Sequence, residues 1–170
     1  MKIQNAKNLG HEKWVIAYDK SAFNTAASVE HNFKQASGRL GIKVDSPYWL
    51  ELSTNKNFAD ELHDELTFYV KKHGSPLIIV MLLPYEDQYF EFKKVAYSFG
   101  VPSQVITIPK ARKFNMSVAS NVLRQMNIKM GGELYTLQMP KECHKHTMLL
   151  GLDVCHKGQK SIVGFCASIT

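Results

Sequence analysis

Apolar residues follow two alternating patterns along the chain, short unbroken runs and longer stretches with helical spacing. Residues 14–18 and 77–83 form such runs, and the second has no polar alternation, as expected of a central strand buried on both faces. Apolar positions three and four residues apart predict helices over 25–40 and about 56–73, each followed by a glycine. Strands that alternate with helices through short connections are typical of an α/β domain with a mainly parallel sheet.

The same alternation continues through the rest of the chain. Further strands are predicted over 42–44, 103–108, 148–154 and 161–169, and further helices over 88–99 and 117–127. The last two strands adjoin and have no helix to cover them, and a hairpin by itself cannot bury both of its faces. We therefore expect a first domain over residues 1–140 and the truncated beginning of a second domain over 141–170.

Positive charge is concentrated in one segment of the chain. The formal net charge is +6, yet residues 1–92 carry ten basic and twelve acidic side chains. Between Phe92 and Gly132 there is no Asp or Glu, and the seven basic residues are Lys93, Lys94, Lys110, Arg112, Lys113, Arg124 and Lys129. Solvated faces normally mix both signs of charge, so this segment indicates an anionic partner such as nucleic acid or a phosphate group.

The sequence lacks the features of membrane and secreted proteins. Its longest apolar run, 77–83, is well short of the roughly 20 residues of a spanning helix, and the N-terminus has no apolar signal core. The cysteines Cys143, Cys155 and Cys166 are an odd and unevenly spaced set, which favours free thiols in a reducing compartment. We expect an intracellular protein of the cytoplasm or the nucleus, with no membrane partner.

A tyrosine and a lysine lie four residues apart at the start of a predicted helix. Tyr89 and Lys93 therefore share a face near the helix N-terminus, where free N–H groups and the helix dipole attract anions. The lysine adds a full positive charge, and the tyrosine ring can stack on a base. Gln104 and Lys129 can converge on the same point, because ligands of open α/β sheets gather outside the carboxyl ends of the strands. An ordinary, partly exposed helix pair is the alternative explanation for Tyr89 and Lys93.

Ordered sequence blocks identify a family resemblance. Residues 93–106, 121–132, 150–156 and 161–165 closely resemble the MID domain and the start of the PIWI domain of Argonaute proteins, and Val-Pro-Ser-Gln at 101–104 looks like the Piwi branch. The resemblance implies a Rossmann-like MID domain, with a mainly parallel sheet flanked by helices, followed by the first strands of an RNase H-like PIWI domain. It also implies two kinds of partner in RNA-guided silencing: a small guide RNA with a 5′ phosphate, and the remaining PAZ and PIWI domains of a longer parent.

The resemblance assigns roles to individual residues. Tyr89 matches the residue that stacks on the first guide base, and the residues that match those holding the 5′ phosphate are Lys93, Gln104 and Lys129. Gln125 stands where many eukaryotic Argonautes have a second lysine, and a magnesium ion can supply the missing positive charge. The segment that reads the identity of the first base is matched by Leu83, Pro84, Tyr85, Glu86 and Asp87. This segment is about one residue shorter than the common pattern, so no first-base preference is predicted.

Asp153 corresponds to the first metal-binding carboxylate of the PIWI nuclease site. A two-metal nuclease needs several acidic or imidazole ligands, and the other family positions would lie beyond Thr170. The resemblance therefore implies that the chain as given does not cleave RNA, whereas a longer parent is a candidate Mg-dependent endoribonuclease. A strand-end aspartate without a catalytic partner is the alternative explanation.

Three alternatives stay open at the level of sequence. The basic cluster Lys110, Arg112 and Lys113 either contacts the backbone of the next nucleotides or forms a solvated loop. A structural zinc site is the second alternative, with the candidate ligands Cys143, His144, His146, Cys155 and His156. Their spacing fits no regular zinc module. The third is a small-molecule phosphate- or nucleotide-binding α/β enzyme, although the chain has no Gly-x-Gly-x-x-Gly, Walker loop or activated nucleophile pair.

Overall fold

The computed structural model of the chain describes residues 3–53, 58–84, 86–136 and 147–168. The chain divides into two units, Met1–Thr136 and Leu137–Thr170. The domain boundary expected between residues 140 and 141 lies outside the described residues. Within the described ranges, no helix is long and apolar enough to cross a membrane.

The first unit is built on a four-stranded parallel sheet. Its strands are β1 (Val15–Asp19), β2 (Tyr48–Leu52), β3 (Ile79–Leu83) and β4 (Ser103–Thr107), in the spatial order β2-β1-β3-β4. β3 pairs with β1 on one side and with β4 on the other, and all five of its residues are buried. The expected α/β fold with a parallel sheet is confirmed, and the apolar run at 77–83 supplies an interior strand.

Helices cover both faces of this sheet. They are α1 (Phe23–Leu40), α2 (Phe58–His73), α3 (Tyr89–Ser98), α4 (Ile108–Ala111) and α5 (Met116–Lys129). One apolar core joins the sheet to α1 and α5 through residues such as Phe33 and Leu123. A second core joins the opposite face to α2 and α3 through Leu66 and Phe92. The four longer helices follow the predicted ranges closely, and α5 continues two residues past the predicted end, so that Lys129 lies in its last turn.

The second strand differs from the sequence prediction. Within residues 42–44, Val44 forms only an isolated bridge with Leu9, and the strand that pairs with β1 is Tyr48–Leu52. Ile42 still belongs to the end of α1, because its N–H donates to Ser37 O at 3.2 Å after the chain turns at Gly41, whose φ is 75°. The prediction of a strand at 42–44 was wrong: Ile42 completes the helix end, Lys43 and Val44 contact the segment at Leu9, and the strand begins directly after Pro47.

The second unit contains an antiparallel hairpin of β5 (Leu150–Lys157) and β6 (Lys160–Ala167). The two predicted strands are confirmed, but β5 is longer than expected. Cys155 and His156 lie in this strand rather than in the connecting turn, which is made at Gly158 with a φ of 62°. Asp153 is exposed and lies opposite Gly164 of β6.

Candidate functional site

Helix α3 presents Tyr89 and Lys93 on one side. Its residues Phe92, Val95 and Ala96 are buried against the sheet, which fixes the rotation of the helix and leaves the face of Tyr89 and Lys93 toward solvent. The Lys93 Nζ atom lies 5.5 Å from the centroid of the Tyr89 ring. The ring and the ammonium group are therefore neighbours, as the four-residue spacing predicts.

Two lysine ammonium groups converge on one residue at the start of β4. Lys93 Nζ donates to the Ser103 carbonyl oxygen at 3.2 Å and to Ser103 Oγ at 2.7 Å. Lys129 Nζ donates to the same carbonyl oxygen at 2.9 Å and to Gln104 Oε1 at 2.8 Å. These four residues, Lys93, Ser103, Gln104 and Lys129, are called the lysine cluster below. Because both ammonium groups share one acceptor, the three predicted phosphate-binding residues come together at one point.

The end of α5 is held in place by a buried asparagine two residues before Lys129. Asn127 is fully buried; its Oδ1 accepts from Lys7 N at 2.7 Å and its Nδ2 donates to Asn5 O at 3.2 Å. A Cβ atom at Gly132 would lie 2.4 Å from Asn127 Nδ2, so the chain leaves the helix through a position that has no room for a side chain. The sequence Asn-x-Lys-x-Gly-Gly thus anchors the turn that carries Lys129.

The lysine cluster lies at the amino ends of the strands, opposite to the carboxyl ends that the sequence predicts. Ser103 is the first residue of β4 and pairs with Ile79, the first residue of β3. The expectation of a site outside the carboxyl ends of the strands was wrong for these residues. The reason is that α3 returns the chain toward the amino ends of the strands, and α5 also ends there, so that both lysine side chains reach the beginning of β4.

The lysine cluster carries positive charge without an anionic partner. Among the ion pairs of the described residues, none includes Lys93 or Lys129. Burial, followed by the neighbouring charge of Lys129, lowers the pKa of the Lys93 ammonium from its usual value. Burial also lowers the pKa of Lys129. Two neighbouring cations, of which Lys93 is half-buried and Lys129 is exposed, share an acceptor and lack a carboxylate, which is the arrangement expected of an anion site.

A cavity of about 390 Å³ adjoins Tyr89 at the carboxyl ends of β3 and β4. It is lined by Leu83, Glu86, Tyr89, Phe90, Val105, Thr107 and Lys110. Two members of the predicted first-base segment, Leu83 and Glu86, are therefore at this cavity. Pro84 is half-buried and Asp87 is exposed, and Tyr85 lies outside the described residues. Tyr89 connects the cavity on one side with Lys93 of the lysine cluster on the other.

The other predicted contact residues are more dispersed. Gln125 is exposed one turn before Lys129, and no hydrogen bond among the described residues joins it to the lysine cluster. Lys110 belongs to the short helix α4, which the sequence reading treats as loop, and it reaches the cavity beside Tyr89. Arg112 and Lys113 are exposed in the turn that follows α4.

Ser103 is the site residue that the sequence reasoning missed. It contributes a backbone oxygen as well as its hydroxyl group, and a backbone contact leaves no signature in residue type. The available signal was its position, directly before Gln104 in the Val-Pro-Ser-Gln string.

The candidate metal ligands form no cluster in the described part of the chain. No three His, Cys, Asp or Glu residues lie close enough there to hold a metal ion. Cys143, His144 and His146 fall outside the described residues. Cys155 is exposed on β5, and His156 Nδ1 lies 2.8 Å from Ser161 Oγ on β6.

The chain is similar in sequence to known proteins over most of its length. The family model described as Piwi domain matches residues 77–170. Argonaute-3 of Drosophila melanogaster is 29% identical over 164 residues, which is 92% of this chain and 18% of that protein. The Piwi-like protein Siwi of Bombyx mori is 32% identical over 165 residues, 91% of this chain and 17% of that protein. The chain thus spans less than a fifth of the length of these curated relatives.

Solved structures of low sequence identity share the fold. The Drosophila Piwi structure matches 97% of this chain and 26% of its own with a TM-score of 0.78 at 18% identity. The MID-PIWI domains of N. crassa QDE-2 match 99% of this chain and 50% of their own with a TM-score of 0.73 at 22% identity. The MID domain of Arabidopsis thaliana AGO5 matches 80% of this chain and 99% of its own, with a TM-score of 0.66 at 15% identity. These structures show the shared fold, and the Piwi domain model, which covers more than half of the chain, shows that the chain belongs to the Argonaute/Piwi family.

Proposed function

We propose that the chain binds the phosphorylated 5′ end of a small guide RNA, as the part of an Argonaute/Piwi protein that anchors this end for RNA-guided silencing. The observation that carries the proposal is the convergence of Lys93 and Lys129 on the Ser103 carbonyl oxygen, with Lys93 Nζ 5.5 Å from the centroid of the Tyr89 ring. Membership of the Argonaute/Piwi family supports the same assignment. The partner RNA, the remaining PAZ and PIWI domains, and action inside the cell are parts of this proposal.

The lysine cluster has donors left for a phosphate. An ammonium group carries three N–H donors. Lys93 uses two on Ser103, and Lys129 uses one on Ser103 and one on Gln104, so each lysine keeps a donor for a ligand oxygen. A terminal phosphate carries between one and two negative charges at neutral pH and would relieve the repulsion between the two ammonium groups. Such charge-assisted hydrogen bonds are stronger than hydrogen bonds between neutral groups.

The lysines can be tested with two RNAs that differ only in a 5′ phosphate or a 5′ hydroxyl group. Lys93→Ala or Lys129→Ala is expected to weaken binding of the phosphorylated RNA by roughly ten- to a hundredfold, because a hydrogen bond to a charged group contributes about 1.5–3 kcal/mol. Binding of the hydroxyl RNA should change little, so most of the difference between the two RNAs is lost. Affinities are measured by fluorescence anisotropy with the full 170-residue chain.

Lys94→Ala is the matched control for these variants. Lys94 is the exposed neighbour of Lys93 on α3, and its removal changes the net charge by the same amount. It should lower the affinity for both RNAs slightly and equally. Equal effects of Lys93→Ala and Lys94→Ala would assign the basic segment to nonspecific attraction and contradict the pocket.

Tyr89 is proposed to stack on the first base. Its side chain is 39% exposed, and the adjoining cavity of about 390 Å³ offers room next to the ring. Tyr89→Ala should weaken the binding of both RNAs equally, by about 1–3 kcal/mol, because stacking on the base does not depend on the phosphate. Tyr89→Phe keeps the ring and should bind both RNAs nearly as well as the wild type. A loss of affinity in Tyr89→Phe as large as in Tyr89→Ala would show that the hydroxyl group, and not the ring, makes the contact.

Magnesium at the lysine cluster stays a prediction from the resemblance. The oxygens that the cluster offers, Ser103 O and Gln104 Oε1, already accept from lysine ammonium groups. No described carboxylate forms an ion pair with the cluster lysines, and Gln125 is a neutral side chain. These residues do not fit a magnesium ion by themselves, so the two lysines are the groups that carry phosphate binding in this chain.

For a longer parent protein we propose a Mg-dependent endoribonuclease activity to which Asp153 contributes a carboxylate. Asp153 lies exposed in the middle of β5, and membership of the Piwi domain family supports this role. Two-metal nucleases need further ligands around such a carboxylate, and the described residues form no group of three. The chain as given is therefore expected to leave a target RNA intact in the presence of Mg²⁺ or Mn²⁺, as judged by gel electrophoresis.

A further inference from the structure

A polar cleft of about 310 Å³ lies between the end of α1 and the first half of α5. Arg39 of α1 faces it, and the α5 side is lined by Met116, Ser117, Ser120, Asn121 and Arg124. We call these residues the arginine cleft. Positions 117, 120, 121 and 124 share one face of α5, whereas Lys129, five residues beyond Arg124, lies on a different face. The cleft is thus separate from the lysine cluster.

The two arginines of the cleft have no anionic partner in the described part of the chain. Arg124 Nη1 donates to the neutral Asn121 Oδ1 at 3.0 Å, and neither arginine forms an ion pair there. Lys34, on the same helix as Arg39, pairs with Glu30 at 2.6 Å. A guanidinium group stays charged at all ordinary pH values. The cleft therefore holds two permanent positive charges, from two helices, with no carboxylate among its lining residues.

The donors of the cleft are side chains rather than the free start of a helix. The N–H groups of Ser117 and Val118 already donate to Asn115 Oδ1 at 3.0 Å, so the N-terminus of α5 is capped. Ser120 Oγ donates to Met116 O at 2.8 Å. The guanidinium groups, with the Ser117 hydroxyl and the Asn121 amide, are the groups left to bind a ligand.

The chemistry of these donors fits a phosphate group of a nucleic-acid backbone. Guanidinium groups bind phosphate oxygens in a fork geometry, and Ser and Asn side chains commonly contact phosphates and sugars. No aromatic ring lines the cleft, so it offers no platform for stacking a base. α5 also lies inside the segment from Phe92 to Gly132 that contains no Asp or Glu. We propose that the arginine cleft binds a backbone phosphate of an RNA strand, away from the 5′ end of that strand.

This proposal rests on RNA being the partner of the chain, and it can be tested separately from 5′-phosphate recognition. The variant Arg39→Gln with Arg124→Gln is titrated with a long single-stranded RNA and with a trinucleotide, each with a 5′ phosphate or a 5′ hydroxyl group. For the long RNA, we expect affinity to fall about three- to tenfold and the slope of log affinity against log salt to decrease by about 0.7 per lost phosphate contact. The trinucleotide should lose less affinity than the long RNA, because it offers the cleft fewer backbone phosphates.

Lys71→Gln with Lys72→Gln is the control, because it removes the same charge from exposed positions on α2, in the opposite layer of the sheet. Circular dichroism and thermal melting check that both variants fold. The proposal is overturned if the arginine variant binds long RNA as the lysine control does. It is also overturned if inorganic phosphate or an acidic peptide binds the cleft while RNA affinity is unchanged.

The ratio of affinities for phosphorylated and hydroxyl RNA separates the two proposals. A wild-type ratio near one would remove the 5′-end pocket, yet the comparison of the two double variants on hydroxyl RNA would still decide the role of the arginine cleft. If the ratio is well above one but the double arginine variant binds RNA as the lysine control does, the proposal for the cleft is rejected and the proposal for the 5′-end pocket stands.

Discussion

At the scale of single residues, the lysine cluster depends on a serine that contributes mainly its backbone. The sequence identifies four site residues by side-chain chemistry, because an aromatic ring can stack on a base and cations and amides bind phosphate: Tyr89, Lys93, Gln104 and Lys129. Ser103 could not be identified in this way, since the carbonyl oxygen that joins both lysines is present in every residue. Residue type thus predicts the charged groups of the site, whereas the fold determines which acceptor brings them together.

The lowered pKa of Lys93 leads to a prediction on pH. Burial and the charge of Lys129 favour the neutral amine in the free protein, whereas a bound phosphate favours the ammonium form. Binding of phosphorylated RNA should therefore take up a proton at alkaline pH, and its affinity should fall as pH rises through a range below the usual lysine pKa. The affinity of hydroxyl RNA should fall less. Isothermal titration calorimetry in buffers of different ionisation enthalpy measures the proton uptake.

The same lysine affects stability in the opposite direction. The unfolded chain binds more protons than the folded chain between the lowered pKa of Lys93 and the ordinary lysine value, so this residue makes the fold more stable as pH rises through that window. Lys93→Ala should remove the contribution of this residue to the pH dependence of RNA affinity and to the pH dependence of folding stability. If proton uptake on binding phosphorylated RNA is unchanged in Lys93→Ala, the titrating group is another one and this account of Lys93 is contradicted.

At the scale of elements, the sequence predicted the helices and interior strands well and two features poorly. Long helices and the apolar run of β3 carry strong periodic signals, and they were predicted nearly to their ends. The strand at 42–44 was wrong because three residues cannot show whether they continue a helix end or enter a sheet. The predicted position of the site at the carboxyl ends of the strands was also wrong. Ligands of such sheets generally bind there, but the lysine side chains of α3 and α5 extend to the amino end of β4.

Gly132→Ala tests whether the end of α5 positions Lys129. The new methyl group would lie 2.4 Å from Asn127 Nδ2, and such overpacking costs about 1–3 kcal/mol. We expect a lower urea midpoint and, because the turn that carries Lys129 is displaced, weaker binding of phosphorylated RNA. Gly38→Ala is the control: it lies inside α1 with no atom within 4 Å of the added carbon, and should stabilise by about 0.5–1 kcal/mol. Wild-type stability and affinity in Gly132→Ala would contradict this positioning role.

At the scale of the whole molecule, charge and fold act together. The segment without carboxylates, from Phe92 to Gly132, supplies most of α3 and all of β4, α4 and α5. These elements carry both the lysine cluster and one wall of the arginine cleft. Composition alone indicated an anionic partner, but it could not distinguish a pocket from a diffuse basic surface. Only the folded chain shows that two of these cations meet at one acceptor.

The measurement that tests the central claim most directly is the affinity of the wild-type chain for one RNA sequence with a 5′ phosphate or a 5′ hydroxyl group. The lysine cluster predicts that the phosphorylated RNA binds at least about tenfold more tightly at moderate salt, since two charge-assisted hydrogen bonds are gained at the terminal phosphate. Because the two RNAs share every internal phosphate, nonspecific attraction to these internal phosphates cancels in the ratio. Equal affinities would contradict the claim that Lys93 and Lys129 form a 5′-phosphate pocket.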